Sequence, residues 1–514
     1  MTSNKIKNLR RRRISSEGGS TSGGRLWRKM PLVASRWQGQ FSLEVLIFSA
    51  VAVVLISGFI FLSLSFTQFA VRGLNKQAAF SIAEAGIEYY RWHLAHASSD
   101  FQDGTGQPGP YTHNYYDKNG VLVGQFILDI TPPPTGSTVV KIRSTGTVTA
   151  DSSIKKIIEA RFAIPSFTQY AVAVNSNVRF GEGTEVFGEI MSNGGIRFDG
   201  LAHNSIRSAQ QSYDDPDHGG QNEFGVHTHA SSVDPFPPAA VPSRPDVFMV
   251  GREFPVPAVD FAGITQNLAD IKTQALAGGY YATSSAVFGY DLVFSTSTAS
   301  TTFSLYKVTA VTPPPNGCAN TSNQDGWGTW SIQTETLVAT GTIPSNGIFF
   351  VEDNLWVRGG IKNARITVGS AKFPDIPSTR TSITVNQDLL YSEYNGTDAI
   401  ALIAQQNFNV GLYSNDILRI DGALIAQNGR IGRYYYNPPN DQSNNNRCGP
   451  TVVRQQITLY GMIASNQRYG FGYVDATGYI DRILIYDSNL LYSPPPGFPL
   501  VGSQYIQVSW TEVQ

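Results

Sequence analysis

From Val45 to Val71 the chain runs for 27 residues without a formal charge. At 1.5 Å per residue this is about 40 Å of helix, enough to cross a hydrocarbon core with some tilt. The next segment, "QAAFSIAEAGIEYYRWHLAHA", sets Phe80, Ala83, Ile87, Tyr90 and Leu94 at steps of three and four, with Glu84, Glu88 and Arg91 beside them. The spacing predicts one long helix over 40–96, membrane-embedded first and amphipathic afterwards, whose apolar stripe needs a cover. Three short alternating runs follow, "VLVGQFILDITPPP", "STVVKIRSTGTVTA" and "KKIIEARFAI", each rich in β-branched residues and bounded by Pro, Gly or Asp-Ser-Ser. They predict an antiparallel meander over 97–165, packed on that stripe.

Beyond Tyr170 similar words recur: "GEIMSNGGIRF", "ALIAQQNFNVG", "GALIAQNGRIG" and "GMIASNQRYGFG". Each sets apolar residues before a small residue and Asn or Gln, as expected of strand-turn units stacked with like side chains in register. The reading is a mainly β domain over 166–514, a β-solenoid of the right-handed parallel β-helix kind, with a plain β-sandwich as the alternative. Ile425 and Ile463 are expected at one equivalent core position. Two excursions interrupt the repeats, at 208–318 and 433–450, and both are expected to project. The first holds a helix with Ile264, Leu268, Ile271 and Ala275 on one face. The second places Tyr434, Tyr435 and Tyr436 on a loop suited to glycan or protein contact.

Composition favours an exported β-rich protein: 15% charged residues, 49 glycines and 28 prolines among 514 residues. Charge is divided unevenly. Residues 1–39 carry ten Lys/Arg and one Glu, a net of +9 against −1 for the whole, so the remainder is acidic. Such a basic flank orients the N-terminus to the cytoplasm and the body outward. A cleaved secretory signal is the competing reading, but the apolar run is longer than such a core and no small-x-small site follows. The two cysteines, Cys318 and Cys448, exclude a thiolate metal cluster; export permits a disulfide between them, and their pairing stays open.

One carboxylate, Glu44, stands at the cytoplasmic edge of the apolar run, where a charge is costly. The segment Gly39-Gln40-Phe41-Ser42-Leu43-Glu44 before an apolar helix resembles the class III signal of type IV prepilins. "AAFSIAEAGIEYYRW" is similar to the corresponding segment of minor pilins of the PilX type. The resemblance covers roughly residues 37–96. It implies an α+β pilin unit, cleavage after Gly39 by a prepilin peptidase, and methylation of the new N-terminal Gln40, where Phe or Met is commoner. It also implies pairing of Glu44 with the ammonium of a neighbouring subunit. Partners would be that peptidase, other pilin subunits, the assembly machinery and the membrane, with a surface glycan or protein as a further ligand. The precursor would span the inner membrane once, and the assembled subunit would stand in a cell-surface filament.

Little in the rest of the chain points to catalysis. GxSxG, a Walker loop, HExxH and CxxC are all missing, and no Cys/His dyad or cofactor motif appears. His203, Asp217, His218, His227 and His229 make the best metal constellation, with His227-x-His229 presenting two imidazoles on one side of a strand; solvated loop histidines are the plainer reading. The basic cluster Arg10–Arg13 lies in the leader, where it serves orientation, and nucleic-acid binding is not expected. The sequence thus points to a structural and adhesive subunit, not an enzyme. An anchored adhesin outside any filament and a polysaccharide-degrading β-helix enzyme are the alternatives.

Overall fold

The computed structural model describes residues 38–133, 138–164, 169–261, 263–297, 300–438, 447–498 and 504–513. Residues 1–37 of the basic leader, 1–39, lie outside the described residues. A long N-terminal helix, α1 (Gln38–His96), is followed by a mostly β chain. Two compact units meet within α1, at Gly73 and Leu74.

In the second unit the face of α1 formed by Ala79, Ile82, Ala83, Ile87, Tyr90 and Leu94 is buried. It packs on Phe126, Leu128, Ile142, Val148, Ile158 and Phe162 of a sheet. Phe80, expected on this stripe, sits at its margin, half-buried and edge-on to Trp510 with ring centroids 5.8 Å apart. The sheet is built from β1 (Tyr111–Tyr116), β2 (Leu122–Thr131), β3 (Val140–Val148) and β4 (Asp151–Ala163), each antiparallel to the next. Residues on β3 alternate between buried and more accessible, the signature of a sheet with one covered face. Gly146 on β3 lets the helix lie directly on the strand: a Cβ there would collide with the backbone of Ala79 and Ala83. The strand Ile506–Val513, assigned by the sequence to the second β domain, instead returns to this sheet and pairs antiparallel with β4.

The remaining β chain is organised in parallel ladders. On the first wall the strands follow one another in the order Arg252–Glu253, Ile206–Ser208, Ile190–Ser192 and Val172–Val174. The ladder continues through the end of Val453–Ser465 to the end of Ile417–Ala426, then Ala399–Ala404, Arg365–Ser370, Ile348–Val351 and Tyr280–Ala282. Leu402, Leu424, Ile463, Val172 and Ile190 belong to the inner column. The intervening Ile403, Ile425, Ala464 and Ala173 form an outer layer with Leu268, Ile271 and Ala275 of α2 (Gly263–Gly278). Ile425 and Ile463 are therefore not equivalent. Ile425 pairs with Ala464 and Ile463 with Leu424, so the alignment read from the sequence slips by one residue, and a slip of one moves a strand residue to the opposite face.

A second wall stacks Leu355–Trp356, Ile383–Thr384, Phe408–Val410 and Ile431–Arg433, and separately Val178–Phe180, Ile196–Phe198 and Val226–His227. A third stacks Leu389–Tyr391 on Ile417–Ala426, Val453–Ser465, Gly478–Tyr486, Thr184–Phe187 and Leu201–Ala202. At the turn after the first wall, amides stack. Asn428 donates to the Gln405 carbonyl (2.8 Å), Asn466 to that of Asn428 (3.3 Å), Asn175 to Asn466 Oδ1 (2.8 Å), and Asn193 to Asn175 Oδ1 (2.7 Å).

Residues 208–318, expected as one projecting excursion, do several things. They supply Arg252–Glu253 and Tyr280–Ala282 to the first wall and α2 to its outer face. They also supply Gly289–Thr296, which lies parallel to Leu355–Ile361 and opens an antiparallel sheet with Thr301–Val311 and Ile332–Thr342.

Candidate functional site

The N-terminal signal lies on α1. Gly39 and Gln40 are in its first turn, and Glu44 is exposed on the segment that follows. From Phe41 to Leu74 the large apolar side chains are exposed, Phe41 by 71% and Phe61 by 74%. Length and composition make this helix capable of crossing a membrane. Three of its hydroxyls are turned back onto the helix: Ser49 donates to Leu46 O, Ser65 to Phe61 O and Thr67 to Ser63 O, each at 2.9 Å. Such bonds satisfy a hydroxyl where no water is at hand.

Cys318 and Cys448 are joined in a disulfide. The tyrosines beside it do not form a projecting loop. Tyr434 and Tyr436 are 1% exposed, clustered with Leu412, Cys448 and Val452 beneath Trp327 and Trp330. The segment around Trp327 folds over them, Tyr434 Oη donates to Asp325 O (3.1 Å), and Trp327 Nε1 donates to Tyr435 O (3.1 Å). Next to them Arg433 is fully buried. Its guanidinium donates to Ser414 Oγ and Thr451 O at 2.8 Å and to Leu412 O at 3.0 Å, and burial depresses its basicity. These tyrosines are core for a crossing of the chain, which a polar, Asn-rich stretch of sequence disguises.

The histidines divide. His203 stacks on Phe187 (3.9 Å between ring centroids) and lies 3.6 Å from Glu185, apart from the rest. Asp217 pairs with Arg468 and faces Arg179. His218, His227 and His229 do converge, and with them two carboxylates that the sequence reading passed over, Asp215 and Glu223. His227 is 0% exposed, so the solvated-loop reading fails for it. Strand Val226–His227 sets its ring on the outside of the second wall beside Arg197, and the antiparallel pair Ser212–Tyr213 and Glu223–Phe224 closes over it. His227 Nε2 is 3.5 Å from Asp215 Oδ2, and His229 Nε2 is 3.4 Å from Glu223 Oε1. His218 Nδ1 is 2.9 Å from that same Glu223 oxygen. Burial opposes ionisation of Asp215, but His227, the Asp217 amide and Arg197 outweigh it and hold the carboxyl below its ordinary range. Burial, with the charges of Arg197 and His227, lowers the basicity of His229. The signal for the missed acids was the run "DDPDHGGQNE" just upstream of His227-x-His229.

His229 also lines an open groove of about 990 Å³ where the second wall is interrupted, together with Arg179, Arg468, Arg482, Tyr469 and Tyr473.

No family model matches this chain, and no curated protein matches it. Among solved structures it aligns with the competence-associated pilin ComZ from Thermus thermophilus at 11% identity, covering 85% of this chain and 98% of that one, with a TM-score of 0.28. A score that low is a loose correspondence.

Proposed function

We propose that this chain is a pilin-like subunit of a type IV filament, a minor pilin processed by a prepilin peptidase after Gly39. The observation that carries the reading is the division of α1: an apolar first part, headed by Gly39 and Glu44, whose large side chains are exposed, and a second part whose stripe is covered by an antiparallel sheet. An exposed apolar helix needs lipid or other helices around it, and a filament core supplies the second after the membrane supplies the first. Glu44 would meet the N-terminal ammonium of a neighbouring Gln40, methylated in the mature subunit, and so set the axial step between subunits. The parallel ladders are read as a parallel β-helix, right-handed by the usual sense of parallel crossovers. So large a body on one subunit favours a tip or sparse position and a role in display or adhesion at the cell surface. The role is structural, not catalytic.

The test is the mature N-terminus. Intact mass of membrane-extracted protein should correspond to a chain beginning at methylated Gln40. Gly39→Val should retain the leader, since a β-branched side chain at the cleaved bond obstructs the peptidase. A parent chain that keeps its leader in membranes, or a Gly39→Val variant that matures normally, overturns the assignment.

A further inference from the structure

We propose that Asp215, His227 and His229, with Glu223 beside His229, bind a divalent transition-metal ion of the zinc type. One ligand atom from each of Asp215, His227 and His229 lies within 4.8 Å of the others, and His229 is shared with a second such group formed with His218 and Glu223. These atoms face one another and nearby charges at 3.4 to 3.5 Å without making hydrogen bonds. Neither ring nitrogen of the fully buried His227 makes a hydrogen bond, nor does His229 Nε2 or Asp215 Oδ2. A buried imidazole with neither nitrogen hydrogen-bonded is costly, and its convergence with His229 Nε2 and Asp215 Oδ2 is harder still to explain as packing. A cation among them would take three ligand atoms, one nitrogen of His227 with His229 Nε2 and Asp215 Oδ2.

The donor set specifies the class of ion. Two imidazoles with carboxylate oxygens suit zinc and its neighbours, whereas calcium and magnesium take oxygen shells. The supporting groups are in place. The Asp217 amide donates to Asp215 Oδ1 at 3.0 Å, fixing that carboxylate and leaving Oδ2 turned inward. The amide of His229 donates to Asp199 Oδ1 at 2.8 Å. His218 holds Glu223. Outer partners of this sort orient ligands before the ion arrives. Arg197 is the opposing feature, with Nη1 3.5 Å from Asp215 Oδ2, but its Nε is bound to Asp199 at 2.8 Å, so its charge has a carboxylate of its own. The groove reached through His229 gives the ion an entry path.

The experiment uses the full chain in detergent, free of any histidine tag and stripped with a chelator. Zinc titration by calorimetry, with elemental analysis of the dialysed product, should find one ion per chain. His229→Gln should weaken binding about 100-fold or more, and Asp215→Asn, which keeps the shape of a buried side chain, should do the same with an unchanged circular dichroism spectrum. His203→Gln should bind as the parent does. Cobalt in place of zinc should give visible ligand-field bands that shift in both ligand variants. Failure of the parent to take up zinc in stoichiometric amount overturns the proposal. So does parent-like affinity in both His229→Gln and Asp215→Asn. A negative result leaves the filament reading intact, because that reading rests on α1.

Discussion

Asp291 is fully buried on the strand Gly289–Thr296, where Arg358 Nε donates to its Oδ2 at 2.9 Å and Nη2 of the same arginine donates to Glu335 at 3.2 Å. One guanidinium thus serves two carboxylates. Burial is the main reason the Asp291 carboxyl is pushed up to about 7; Glu335 adds to it, and Arg358 opposes it. The folded protein therefore holds a proton that the unfolded chain, with an ordinary aspartate, has already released. Stability contributed here falls as pH rises between about 4 and 7. Asp291→Asn should remove that fall. Unfolding free energies from denaturant titration should be similar for parent and variant near the acid end and higher for the variant at about pH 8, by an amount on the order of a few kcal/mol at most. Parallel pH profiles for the two proteins would contradict this account. Tyr434 and Tyr436 are buried by partners equally remote in sequence: their hydroxyls find carbonyls under a folded-over segment, and nothing in three tyrosines before Asn-Pro-Pro reveals that cover.

Elements whose partners lie close in sequence were the legible ones. The helix and the strands β2 to β4 follow from periodicity, because a stripe at steps of three and four needs a sheet with one covered face, whereas β1 falls in a polar, Gly-rich stretch that reads as a connection. Gly146 makes that contact close, a role visible only once helix and strand are superposed. The strand Ile506–Val513 could not be placed from sequence, since its partner, β4, is distant in the chain and its own pattern suits any edge. The disulfide holds the segment containing Trp327 and Trp330 over the end of the second wall. It closes a loop across a sequence separation of 130, which by chain entropy alone is worth up to about 5 kcal/mol. Replacing both Cys318 and Cys448 with serine should lower the thermal midpoint and speed amide hydrogen exchange at Tyr434–Tyr436, while leaving β1 to β4 protected. Exchange that rises equally in both regions would show that the bridge acts on the whole molecule and not on this segment.

The whole body is stacked out of chain order. The strands from Val172 to Arg252 run away from Val172 toward one end, and those from Tyr280 to Val453–Ser465 run from the other end back to it. The halves meet at a seam where Ile463, Ala464 and Ser465 pair with Val172, Ala173 and Val174. Between Arg252 and Tyr280 the chain must pass along the outside of the first wall. Val259 exchanges two 2.8 Å hydrogen bonds with the Asn193 side chain on the way, and α2 then packs on the outer layer. Repeated words marked strands that pair in parallel but not this order, because pairing at the seam is a property of no single repeat. Ile463 and Ile425 report on the two layers separately. Ile463→Asp puts a charge in the inner column at the seam and should cost several kcal/mol, opening both halves to protease together. Ile425→Asp puts it in the outer layer shared with α2, so the first cuts should fall in and around Gly263–Gly278 while the inner column still resists. Limited proteolysis with mapped cleavage sites distinguishes them: identical first cuts in the two variants would mean that inner column and outer layer unfold as one unit.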